Sequence, residues 1–322
     1  MNDSEKILSA FAKLYFFDEL VHDTLNFTPE GSSEKEVADL LLNLGDIIVA
    51  IQLKWRNDEC ASDKVATEIK WLGSQCKEAK KQVKQSIEFI RSGELPPFPN
   101  RRAQSFRINA DAKIVPLVVF MNERIEHYAP VLKKHSDQGM DINCMSFTDF
   151  QKMCEVLISP IEIVDYLEWR LQFYKTMVPA DFLLCNTPEN MITITRPTNR
   201  ESLVYQYLVE TYGLQQSQEW EMYAEKFRGF LHQLPQHTVV QSENTADCEI
   251  IRFFSHFNRQ EISLVVDRLL LTRGKAHNKE YGICGSLTNT RQRYLVVFVS
   301  SDQGRGFPME YLLNATLHRD KI

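Results

Sequence analysis

A chain of 322 residues, 43% hydrophobic and 25% charged, has the composition of an ordinary globular protein and the length of two domains rather than one core. Its net charge of -6 excludes a simple basic coat protein, and it has no run of about 18 apolar residues that would predict a transmembrane helix. The first residues carry acids and no basic n-region, which speaks against a signal peptide. Seven dispersed cysteines without zinc spacing read as buried reduced thiols, and a cytoplasmic protein is expected.

In chain order, Ser4 as an N-cap and apolar residues at helical spacing predict a helix over 5–23. Two apolar runs, 40–44 and 47–53, flank Gly45-Asp46 and predict a hairpin closed by a two-residue turn. An amphipathic helix follows over about 61–91, stopped by Gly93 and the prolines at 96, 97 and 99. Short strands are expected at 112–121 and 141–147, and helices at 148–159 and 161–175, where the Trp169 and Phe173 stripe reads as core.

The order α-β-β-α-β-β-α-α over 1–178 predicts an α/β layer with helices on a mixed sheet. The stretch 179–200, with three prolines, is the expected linker. A second, α+β domain is expected over 201–322, with helices at 201–232 and 257–274 and a strand at 293–301. In that half, His256, Arg259, Arg268, Arg273, Lys275 and His277 read as the exposed side of a helix and its loop. No P-loop, GxSxG, HExxH or GxGxxG pattern occurs, so hydrolase triads, zinc proteases and dinucleotide enzymes gain no support.

The hairpin carries the chemistry. A turn at Gly45-Asp46 sets Leu41 opposite Ala50 and Asp39 opposite Gln52, with Lys54 on the same face as Gln52. Directly opposed residues have Cβ atoms about 4.5–5.5 Å apart, and Lys54 stands about 7 Å further along. Asp46 lies about 20 Å from Gln52 along the strand and reads as a turn residue. Mg²⁺ prefers oxygen ligands and keeps several waters. Asp39 offers an anionic ligand, Gln52 a neutral amide oxygen and Leu53 a backbone carbonyl. Such a metal polarises a phosphodiester and acidifies a bound water, while Lys54 orients that water or neutralises charge in the transition state.

The pattern Asp39-x12-Gln52-x-Lys54, preceded by Glu34-Lys-Glu36, resembles the core of the PD-(D/E)xK, or restriction-endonuclease-like, nuclease superfamily. It is most similar to Mrr-like variants in which glutamine replaces the second acid, although Ala38 stands where the pattern has proline. The resemblance implies an α-β-β-β-α-β core with Asp39, Gln52 and Lys54 as the metal-binding and catalytic set. It also implies a glutamate completing that set: Glu36 first, then Glu19 and Glu34. A Mg²⁺- or Mn²⁺-dependent endonuclease is expected, with DNA ahead of RNA as substrate, and the Mrr-like resemblance implies a restriction or phage-defence role.

From Lys64 to Lys113 eleven basic residues stand against five acids, a net +6 within a chain of net -6. Lys70, Lys77, Lys81 and Lys84 share one stripe of the long helix, Arg101 and Arg102 sit in the loop beyond, and Arg56 follows Lys54 on the same strand face. These are the candidate nucleic-acid contacts. The second domain would recognise a substrate, partner or trigger, and a homodimer would suit double-strand cleavage. The rival reading is a catalytically silent relative serving as a nucleic-acid-binding or protein scaffold. A hydrolase of small phosphorylated ligands would need a closed pocket instead.

Overall fold

Helix α1 (Asp3–Phe16) buries Leu8, Ala12 and Phe16 at every fourth position and leaves Ile7 exposed. It ends sooner than its apolar pattern predicts. Phe17 turns into the left-handed region (φ 63°), and Val21–Asp23 become strand β1 instead of a last helical turn. Sheet pairing decides this: Val21 stands opposite Leu42 and His22 opposite Leu41 in an antiparallel ladder, which uses the backbone groups a longer helix would have bonded.

The computed structural model describes residues 3–23, 25–28, 33–57, 60–100, 103–125, 142–177, 201–213, 222, 225–227, 229, 246–278, 282–287 and 296–300. Strands β2 (Asn26–Phe27) and β3 (Lys35–Glu36) form a small antiparallel ribbon outside the main sheet. The predicted hairpin follows as β4 (Leu40–Asn43) and β5 (Ile47–Trp55), with Leu40 opposite Ile51 and Leu41 opposite Ala50. Gly45 carries the turn at φ 95°, its amide donates to Asn43 Oδ1 (3.0 Å), and the Leu44 amide reaches the Ile47 carbonyl (2.9 Å).

Helix α2 (Val65–Ser92) comes next and stops at Gly93, whose backbone is left-handed (φ 71°) and whose amide reaches back to the Ile90 carbonyl. A second ribbon, β6 (Phe98–Pro99) with β7 (Ser105–Phe106), leads to β8 (Lys113–Met121) and β9 (Asn143–Ser146). Both of these strands run parallel to β5, so α2 is the crossover that returns the chain to the same end of the sheet. The five-stranded sheet therefore has the order β1-β4-β5-β8-β9, antiparallel on one side of β5 and parallel on the other. The Asp46 carbonyl accepts from the Lys113 amide (2.8 Å), so the hairpin turn also starts β8.

Alternation along the strands gives the sheet two apolar faces. Leu41, Ile48, Ala50, Val118, Phe120 and Cys144 meet Ile69, Leu72, Cys76, Ala79, Val83, Ile87 and Ile90 of α2. Each large side chain so buried contributes about 1.5–3 kcal/mol. On the other face α1 meets α3 (Phe147–Val156), where Phe11 and Phe16 pack on Phe150. Arg170 of α4 (Pro160–Met177) is buried and binds the Asn143 side chain and the Cys144 carbonyl, which holds β9 at the sheet's edge. Cys76, Cys144, Cys154 and Cys248 are buried and Cys60 is exposed, all as free thiols. Among the described residues no helix is long and apolar enough to cross a membrane.

The chain divides into two compact units, Met1–Gln216 and Ser217–Ile322. The boundary falls beyond the expected 179–200 linker because α5 (Glu201–Tyr212) packs on α4, with the Tyr207 ring 5.5 Å from Tyr166 and 5.7 Å from Trp169. Trp169 and Phe173 are thus packing residues, as their spacing predicts. The second unit contains α6 (Ala246–Ser255), α7 (Arg259–His277), and β10 (Gly282–Leu287) antiparallel to β11 (Val296–Ser300). Phe227, Phe253, Phe254 and Phe257 form its aromatic cluster, and Asn258 with Glu261 caps α7 in a reciprocal capping box. His256 and Arg259 are buried there, contrary to the surface expected of them; Arg268, Arg273 and His277 are exposed.

Replacing Gly93 by alanine should lower stability by about 1 kcal/mol, from backbone strain alone, since a Cβ there would meet only Ala110 Cβ at an ordinary 3.9 Å. Urea unfolding of the two proteins measures the difference.

Candidate active site

The ladder that pairs Leu40 with Ile51 continues by one step to place Asp39 opposite Gln52. Leu41 and Ala50, each two residues away, belong to the face covered by α2, so Asp39, Gln52 and Lys54 share that face. Asp39 is half-buried, whereas Gln52 and Lys54 are 4% and 9% exposed. The strand β4 begins at Leu40, which leaves the Leu53 amide without a ladder partner. Asp39 supplies one, its Oδ2 accepting from Leu53 N at 2.6 Å. In an antiparallel pair the N–H and C=O of one residue point to the same side. The Leu53 carbonyl therefore opens on the strand edge where the Asp39 carboxylate lies.

Two residues of α2, unremarked in the sequence, complete this cluster. Lys54 Nζ donates to Gln82 Oε1 (2.5 Å), and Gln52 Nε2 donates to Ser86 Oγ across 3.4 Å. Ser86 also lies in hydrogen-bond contact with the carbonyls of Val37 and Gln82, the latter at 2.9 Å. Their only sequence signal is a serine buried in the otherwise apolar stripe of Val83, Ile87 and Ile90, four residues beyond a glutamine.

At the other end of α2, Glu68 is fully buried. It accepts from Arg56 Nε (3.1 Å) and a second guanidinium nitrogen (3.2 Å), from the Ser62 amide (2.7 Å) and from Asn122 Nδ2 (2.7 Å). Arg56 also lies over the Trp71 ring, 5.6 Å from its centroid. Burial pushes the Glu68 carboxyl up, but the Ser62 amide, Asn122 and Arg56 outweigh it and hold the group below its ordinary value. Arg56 was expected to meet a phosphate. The fold gives its guanidinium a bidentate carboxylate partner and an aromatic face.

The remaining candidates lie elsewhere. Glu36 is exposed on the β2–β3 ribbon, outside the sheet that aligns the other three, and Glu34 is exposed before it. Glu19 is buried, but the Asn43 amide bonds the Leu20 carbonyl, so Glu19 sits near the turn end of the hairpin. That is about 17 Å along the strand from Asp39. Among the described residues no three His, Cys, Asp or Glu side chains gather where they could hold a metal. The oxygen donors at the hairpin are one carboxylate, one amide and one backbone carbonyl, a hard set carrying a single charge. Such a set suits Mg²⁺ or Mn²⁺ that keeps much of its hydration.

Lys77 and Lys81 are exposed and Lys84 pairs with Glu88 (3.9 Å). At 3.6 residues per turn they stand about 100–180° around α2 from Gln82 and Ser86, on the flank away from the cluster. Arg101 and Arg102 lie outside the described residues.

No protein-family model, curated protein or solved structure matches the chain. The functional reading therefore stands on the site itself.

Because the fold holds the Glu68 carboxyl below its ordinary value, Glu68 stabilises fully above that value of 4.5 and progressively less as pH falls through the lowered one. A Glu68→Gln variant should be about 2 kcal/mol less stable than the parent at pH 7. Urea unfolding across pH 7 to 3 should show that gap narrowing on acidification.

Proposed function

We propose that the Met1–Gln216 unit is a metal-dependent phosphodiesterase of nucleic acid, DNA before RNA, built on a restriction-endonuclease-like core. The observation that carries the reading is the hairpin register, which sets Asp39 opposite Gln52 with Lys54 on the same face. Further support comes from the order of helices and main-sheet strands with the two ribbons set aside, α1-β1-β4-β5-α2-β8, and from the parallel return of β8 beside β5. This is the α-β-β-β-α-β order that the resemblance implies, and β1 supplies the strand that the sequence pattern had merged into α1.

The residues divide the work by chemistry. Asp39 provides the negative charge, and its contact with the Leu53 amide fixes the carboxylate against the strand. Gln52 adds a neutral oxygen. Lys54, held by Gln82, presents an ammonium to the developing charge on phosphate or to the attacking water. A bound Mg²⁺ or Mn²⁺ would supply Lewis acidity and a more acidic water. A restriction or phage-defence role goes with the Mrr-like resemblance.

The scaffold reading has one observation in its favour: among the described residues Asp39 is joined by no pair of further acids or histidines. Digestion decides between the two. Linear, supercoiled and single-stranded DNA, and RNA, are incubated with Mg²⁺ or Mn²⁺ and the full chain. Lys54→Ala should cut about 100-fold or more slowly than the parent, and EDTA should stop both. Equal cutting by parent and variant would place the activity elsewhere, and no cutting of any substrate by the parent would favour the scaffold.

A further inference from the structure

We infer that Ser86 is a positioning residue of this site: its hydroxyl sets which end of the Gln52 amide is free to ligate. The inference rests on the metal-site reading of the hairpin. A serine hydroxyl has one proton and two lone pairs. Two carbonyls, of Val37 and Gln82, lie in contact with Ser86 Oγ, and a carbonyl only accepts. The proton therefore goes to one of them, and the oxygen is left as an acceptor toward its third neighbour, Gln52. Only the Nε2 end of the amide can donate to it. Turning the amide over would set Oε1 against that acceptor oxygen, unless the hydroxyl gave up both carbonyls. The amide oxygen is thus directed away from Ser86, and it accepts no hydrogen bond from any described residue.

The placement has a second effect. Val37 precedes Asp39 by two residues, so one hydroxyl on α2 ties the segment that leads into Asp39 and the amide opposite it. Both Gln52 and Ser86 are buried, at 4% and 1% exposure, which keeps water from substituting for the bond.

The test exploits a symmetry. A carboxylate has two equivalent oxygens, so the orientation set by Ser86 matters for a glutamine at 52 and not for a glutamate. Binding of Mn²⁺ to the full-length protein is measured by titration calorimetry for the parent, Ser86→Ala, Gln52→Glu and the double variant, with Asp39→Asn as the control. Ser86→Ala should weaken Mn²⁺ binding about 10-fold or more in the parent and leave it within about 2-fold in the Gln52→Glu background. Equal weakening in both backgrounds would make Ser86 merely structural, and no weakening in either would remove it from the site; both results overturn the inference. Should Ser86→Ala not fold, Ser86→Cys, close in size but a poor acceptor, carries the same expectation. If the parent binds no Mn²⁺, or Asp39→Asn binds it as well as the parent, the metal-site reading itself falls and the inference with it.

Discussion

The register of β4 against β5 is the constraint on which the rest of this unit depends. A slip of one residue would turn β4 over against β5, moving Leu41 away from α2 and setting Leu40 in its place while Ala50 stayed. Both faces are apolar here, so hydrophobic pattern alone specifies the register weakly. The turn makes up the difference. Gly45 takes a backbone (φ 95°) that other residues enter at a cost, and the Asp46 carbonyl is already committed to the start of β8. Because β5 is the central strand, with antiparallel neighbours on one side and parallel ones on the other, the whole sheet inherits that alignment.

Polar groups buried between α2 and the sheet then discriminate where apolar packing cannot. Ser86 and Gln82 near one end, and Glu68 at the other, gain Gln52, Lys54 and Arg56 as partners when β5 and the residue just beyond it face the helix. Each would cost about 1–3 kcal/mol if buried without a partner. The middle of the interface is held by Leu72, Cys76 and Ala79, which tolerate small shifts; the two ends do not. Stability and alignment are thus assigned to different stretches of a single helix.

What the sequence disclosed follows from how local each signal is. The hairpin, its turn and its register were readable because Gly45-Asp46 sits between two runs whose pairing is set within 17 residues. Strand β1 was not, because Val21 and His22 continue a helical pattern and only the distant Leu41 and Leu42 convert them to strand. Arg56 was placed on its correct face, but its partner Glu68 is found across a loop and into another element, where spacing rules do not reach. The lysine stripe of α2 was recognised as a stripe, yet which flank of the helix meets the hairpin is a property of docking. Glu19 and Glu36 show the same limit. Nearness in sequence to Asp39 favoured Glu36, which the fold puts on the β2–β3 ribbon, while Glu19 lies toward the turn end of the hairpin.

The crossover geometry has a consequence for the order of assembly. Asp39 and Gln52 are 13 positions apart and meet across a tight turn, an event of microseconds. Gln52 and Ser86 are separated by 34 positions, and β5 pairs with β8 only after the chain between Asp46 and Lys113 has looped back. The acid and the amide are therefore neighbours in a nascent hairpin before the helix that disciplines the amide has docked. Chain emerging from a ribosome passes through a stage in which Asp39 and Gln52 are already paired while the Gln52 amide still lacks Ser86, and that contact arrives with α2 rather than with the strands.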